Sequence, residues 1–139
     1  MTSRTRYGSS NGARWLDTTR ILELAMKTKT LVTEASLRAA YQLLRETAFK
    51  GINLPSVNRV TFRVARLKKY HALYEWPAHI MIVNSTTESL SDMLKIVAHE
   101  MIHAALEQNA DCDHDHHDDN FIELANQICK DLKWDGGVL

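Results

Sequence analysis

The residues of this 139-residue chain that could do chemistry cluster in one apolar run, Lys95-Ile96-Val97-Ala98-His99-Glu100-Met101-Ile102-His103-Ala104-Ala105-Leu106. On a helix, side chains four apart stand one turn above each other on the same face. His99 and His103 can therefore aim two imidazoles at a single point, an arrangement suited to a zinc ion. Glu100 follows the first histidine, where a carboxylate can reach a metal-bound water without being a ligand. The bland alternative is a buried helix carrying two incidentally spaced histidines. The histidine-rich stretch downstream weighs against it.

A catalytic zinc takes three protein ligands and leaves a fourth position open. A ligand six residues after the second histidine would fall on Asn109, and the glycine of that extended pattern on Leu106, so that class is excluded. Glu123 lies at a plausible separation, but Phe121, Leu124, Ala125 and Ile128 mark the inward face of its helix and place Glu123 roughly opposite. His114, His116 and His117 are left. His117 is favoured and His116 is next, because His117 adjoins the start of the last helix and precedes the inward Phe121 by four residues. A ligand there is held by a cap and a packed aromatic rather than by a loose loop. With the site complete, Glu100 would take the proton of the attacking water and return it to a leaving amine. Asp115, Asp118 and Asp119 are candidates to hold the imidazole N–H groups. His71, Tyr70 and Tyr74 are polar groups on the strand side with ordinary structural readings.

The elements that must position these groups read as α+β. Residues 1–14 are polar and lack apolar periodicity, which predicts a flexible tail, with one domain over residues 15–139. Asp17 or Thr18 can cap a short helix carrying Ile21, Leu22, Ala25 and Met26. Thr33 caps a second helix to about Phe49, with Leu37, Ala40, Tyr41, Leu44 and Ala48 as its buried stripe and Gly51 beyond its end. Period-two patterns then predict strands at Val60–Arg66, Tyr70–Trp76 and His79–Asn84, drawn as a small antiparallel meander. Ser89 and Asp92 open the motif helix, which runs to about Glu107, and Asp118 or Asp119 caps the last helix.

Composition excludes several classes. No apolar run approaches the roughly 20 residues that span a bilayer, and the N-terminus lacks a signal peptide's apolar core. An intracellular, cytoplasmic protein is expected, in a bacterial or phage-infected cell among other settings. Cys112 and Cys129 do not make a disulfide framework and read as reduced thiols, with Cys129 on a helix pattern. The net charge of zero conceals asymmetry: up to Glu75 fourteen basic residues face five acids, and beyond it three face twelve. A basic half invites an anionic partner such as nucleic acid, although the two halves can also attract each other within one fold.

The succession of a helix, a short sheet ending in Ile82-Val83-Asn84-Ser85, the Leu94-Lys-Ile-Val-Ala-His-Glu-Met-Ile-His-Ala-Ala105 run, a loop, and His117-x-x-x-Phe121 opening a last helix resembles the SprT-like zinc metallopeptidase domain of Spartan-type enzymes. The similarity spans about Thr33 to Trp134. It implies a minimal zincin-like domain with one catalytic zinc on His99, His103 and His117, and Glu100 as catalytic residue. It also implies cleavage of DNA-associated or DNA-crosslinked proteins, with Arg63, Arg66, Lys68 and Lys69 as candidate phosphate contacts. Asp118 follows the third histidine where the family often has glycine. Two other classes compete: a zinc-containing nucleic-acid- or protein-binding module without turnover, and a three-histidine nuclease, which needs closer spacing than His103 to His114. An intact Glu100 argues against the first, since a structural site has no use for a general base.

Overall fold

The computed structural model describes Arg20, residues 32–108 and residues 118–134. The expected tail, the short helix around Ile21 to Met26, Cys112, and the loop with His114, His116 and His117 lie outside the described residues. Between Val32 and Trp134 the described chain forms helix α1 (Glu34–Glu46), a single 3-10 turn (Val57–Arg59), strands β1 (Thr61–Ala65), β2 (Ala72–Glu75) and β3 (Ile80–Asn84), and helices α2 (Leu90–Ala105) and α3 (Asp119–Leu132).

The start of α1 is fixed reciprocally. The Ser36 N–H donates to Thr33 Oγ1 at 3.0 Å, and the Thr33 N–H donates to Ser36 Oγ at 2.9 Å, satisfying two backbone donors. The helix stops three residues short of the expected Phe49. Thr47 turns its hydroxyl onto the Leu43 carbonyl, a competitor for backbone bonding. Phe49 is still fully buried in the turn that follows, and Gly51 takes the positive φ of 87° that brings the chain round.

The sheet corrects the expected antiparallel meander. Its order is β1-β3-β2, with β1 parallel to β3 and β2 antiparallel to it, so the sheet is mixed. Alternation places Phe62, Tyr74, Met81 and Val83 on the buried face, and all four are buried. It carries no information on which strand lies in the middle. The centre goes to Ile-Met-Ile-Val, the most apolar strand, and the strand ending in Glu75 takes an edge. The β1–β2 connection must therefore pass over the end of β3, where Asn84 sits. Asn84 Nδ2 donates to the Leu67 carbonyl at 2.8 Å and the Tyr70 carbonyl at 3.0 Å. Its Oδ1 accepts from the Thr86 N–H at 3.1 Å and the Thr86 hydroxyl at 3.0 Å. All four bonding positions of a buried amide are filled, which is why the polar group is tolerated there.

Helix α1 packs on β1 and on α2, α2 packs on β2 and β3, and α3 packs on α2. The core lies between this helical layer and the sheet, with Leu37, Tyr41, Phe62, Tyr74, Met81, Met101, Ile102 and Phe121 among its members. Helix α2 is enclosed from several sides, burying Met93, Val97, Ala98, Met101, Ile102 and Ala104. A helix apolar on more than one side belongs to the interior, so whatever α2 presents is rigidly held. No helix among the described residues is long and apolar enough to cross a membrane.

Candidate metal centre

Helix α2 starts where the sequence indicates, with Ser89 Oγ accepting from the Asp92 N–H at 3.0 Å. From that start, helical spacing brings His99 and His103 onto one face. Their Nε2 atoms lie 3.3 Å apart and their rings 5.0 Å apart, centre to centre. Two nitrogens bound to one tetrahedral zinc at about 2.0–2.1 Å each stand about 3.3 Å from each other. The pair thus has the atoms and the spacing that the ion requires.

Phe121, in the first turn of α3, packs against both rings, 5.0 Å from His99 and 4.7 Å from His103. His103 is buried and His99 half-buried. Asp118 caps α3, its Oδ1 accepting from the Phe121 N–H at 2.9 Å, which sets the height at which the aromatic meets the imidazoles. His103 Nδ1 lies 3.3 Å from Gln108 Oε1, and Gln108 Nε2 donates to Asp118 Oδ2 at 3.5 Å. Gln108 has no part in the sequence reading, which looks to aspartates for the groups beside the imidazoles. Asp118 does enter, but through Gln108.

Glu100 is 3 % exposed, and its Oε1 meets no hydrogen-bond partner among the described residues. Burial pushes the carboxyl up to about 8, because a charge here is cut off from bulk solvent. A buried polar atom without a partner is unusual enough to need a reason. A cation nearby, or a water held by one, would supply such a reason, since a bound cation inverts the local preference for the neutral form.

The remaining candidates are placed as follows. Glu123 is exposed on α3, away from the buried Phe121 and Ala125, as its position on the helix predicts. Tyr74 is buried, and its hydroxyl lies 2.6 Å from His79 Nδ1; burial holds the phenol up at about 12. It is therefore committed to the turn after β2. His71 instead walls a cavity of about 420 Å³ together with Thr86, Thr87, Glu88, Lys95 and Ile96. Of its lining residues Ile96 comes nearest in sequence to the histidines, three residues before His99, but none of His99, Glu100 and His103 lines it. Arg63 is exposed on β1, and Arg66, Lys68 and Lys69 are exposed in the connection that Asn84 holds. Cys129 is buried on α3. Among the described residues no group of three or more His, Cys, Asp or Glu is arranged to hold a metal, and the third ligand expected from sequence, His117, falls outside them.

A family model described as the SprT-like family matches residues 37–135, from the core stripe of α1 through α3. No curated protein and no solved structure matches the chain.

Proposed function

Because the chain belongs to the SprT-like family, and because two imidazole nitrogens converge on a helix that also carries the buried Glu100, we propose that it is a zinc-dependent endopeptidase. The observation that carries this reading is the 3.3 Å approach of the two Nε2 atoms, on a helix whose buried Glu100 has an Oε1 with no partner among the described residues. His99 and His103 hold the ion with His117 as third ligand, His116 being the alternative. Bound there, zinc supplies an acidified water and polarises the substrate carbonyl. Glu100 takes a proton from the attacking water and returns it to the leaving nitrogen. Its enclosed position keeps bulk water from competing for that proton, and Phe121 holds the imidazoles in place behind it.

A zinc module without turnover accounts for the histidines but leaves Glu100 unexplained. A buried carboxyl with an oxygen that finds no partner among the described residues is costly, and a neutral residue of the same size would serve a structural site better. The test is metal analysis with proteolysis of an unfolded protein substrate. One zinc per chain is expected, with cleavage lost on chelation and restored by zinc, and with zinc lost in His103→Ala and His117→Ala. Cleavage that persists without the metal overturns the proposal.

The proposed substrates are proteins on DNA, with Arg63, Arg66, Lys68 and Lys69 contacting phosphate. Their exposure and their grouping on β1 and the following connection support this reading. Each phosphate neutralised on duplex DNA contributes about 0.9 to the slope of log affinity against log salt. Replacing Lys68 and Lys69 together by alanine is expected to lower that slope by about two, read from binding titrations at several salt concentrations. Binding that is indifferent to salt removes DNA from the account.

A further inference from the structure

Helix α2 ends in a turn that folds the chain back onto one of the two histidines. Leu106 is its C-cap, and Glu107 follows with a φ of 58°. The Glu107 N–H donates to the Ala104 carbonyl at 3.0 Å, and the Gln108 N–H donates to the His103 carbonyl at 2.9 Å. This pair of bonds is the Schellman arrangement, which usually takes glycine at the left-handed position. Here a glutamate occupies it despite the steric cost that a β-carbon brings. The consequence is local: residue 108 is bonded by its backbone to residue 103 and lies next to its ring.

The side chains then fix one another. Asp118 Oδ2 can only accept, so the end of the Gln108 amide that faces it, at 3.5 Å, is the NH2 group. The carbonyl end, Oε1, therefore faces His103 Nδ1 at 3.3 Å and can only accept from it. That places the His103 proton on Nδ1 and leaves Nε2 unprotonated, facing His99 Nε2 at 3.3 Å. Asp118 Oδ1 meanwhile caps α3. One chain of contacts thus runs from the N-terminus of α3 through Asp118 and Gln108 to the imidazole.

We infer that Gln108 is a positioning residue: it selects the His103 tautomer that can bind a metal and ties the ring's orientation to the cap of α3. The inference rests on the reading of His99 and His103 as zinc ligands. A partner of this kind on a ligating histidine changes metal affinity by about 10–100-fold when removed. It does so without touching the ion.

The test is a competition titration of zinc against a chromophoric chelator, with melting of the metal-free proteins followed in parallel. Q108L is expected to bind zinc about 10–100-fold more weakly, and the double variant Q108E/D118N to recover to within about threefold of wild type, because the carboxylate at 108 accepts from Nδ1–H while the amide at 118 donates back to it and still caps α3. The metal-free melting temperatures of wild type and Q108L should nearly coincide. Wild-type zinc affinity in Q108L overturns the inference, as does a loss that Q108E/D118N fails to restore. His103→Ala separates the two levels: if it keeps wild-type zinc affinity, the ligand assignment itself fails, whereas its loss of zinc beside an unaffected Q108L removes only the role of Gln108.

Discussion

Glu100→Gln is expected to suppress peptide cleavage by about 10²–10⁴-fold while the protein keeps its zinc. The amide has nearly the shape of the carboxylate, so His99 and His103 are undisturbed, but it cannot accept a proton from water. The same substitution should stabilise the metal-free protein, and by an amount that depends on pH. Burial raises the Glu100 carboxyl from an ordinary 4.5 to about 8 in the fold. Between those values the folded chain holds a proton that the unfolded chain has released, so the wild type loses stability as pH rises toward about 8. The stabilising contribution of the neutral acid is complete below the unfolded value and gone above the folded one. An amide at this position does not titrate and has no such slope. Metal-free wild type and Glu100→Gln are therefore expected to melt close together near pH 5 and to diverge by pH 8.5, the variant being more stable by a few kcal/mol at most. Thermal melts in chelator across that range measure the divergence. Equal melting at every pH would remove the unsolvated carboxylate from the account, and an unchanged cleavage rate would remove the general base.

Much of this centre was legible because a helix has one rotational period. The four-residue spacing of His99 and His103, the Ser89 cap and the apolar surroundings determine which atoms α2 brings together, and the Nε2 atoms do converge. The Thr33 start of α1, the Asp118 cap of α3 and the outward position of Glu123 follow from the same logic. The sheet was legible only by face. Period two told which of Phe62, Tyr74, Met81 and Val83 turn inward, but not that β3 would lie between the other two strands. That order depends on a connection crossing the end of β3, held by the two hydrogen bonds that Asn84 donates to the Leu67 and Tyr70 carbonyls, and no local pattern announces a long-range clamp. Gln108 was invisible for a related reason. The turn that returns it to His103 has Glu107 at its left-handed position, and the glycine that would mark such a helix end is missing. The third ligand rests on the spacing of His117 from Phe121 and on the family resemblance.

Phe121→Ala should show how far the metal centre depends on the docking of α3. This helix is attached through a narrow inner stripe, Phe121, Ala125, Ile128 and Cys129, in which Phe121 is the largest side chain and is 2 % exposed. Truncating a buried phenylalanine costs about 3–5 kcal/mol, lost transfer energy and the residual cavity together. For a chain of this size that lowers the melting temperature by roughly 10 °C or more. The loss is not confined to packing. Phe121 is the surface on which both imidazoles rest, and its own N–H is the donor that Asp118 caps. Zinc affinity should therefore fall along with metal-free stability, and zinc should recover less of the lost stability than it gives the wild type. Phe121→Leu separates the contributions. It refills most of the volume, so it should regain most of the metal-free stability, but it lacks the aromatic ring that meets the His99 and His103 rings at tilts of 57° and 36°. A leucine variant with recovered stability and still-weakened zinc binding would show that the ring itself braces the histidines. Full recovery of both would reduce Phe121 to a core residue that happens to lie beside them.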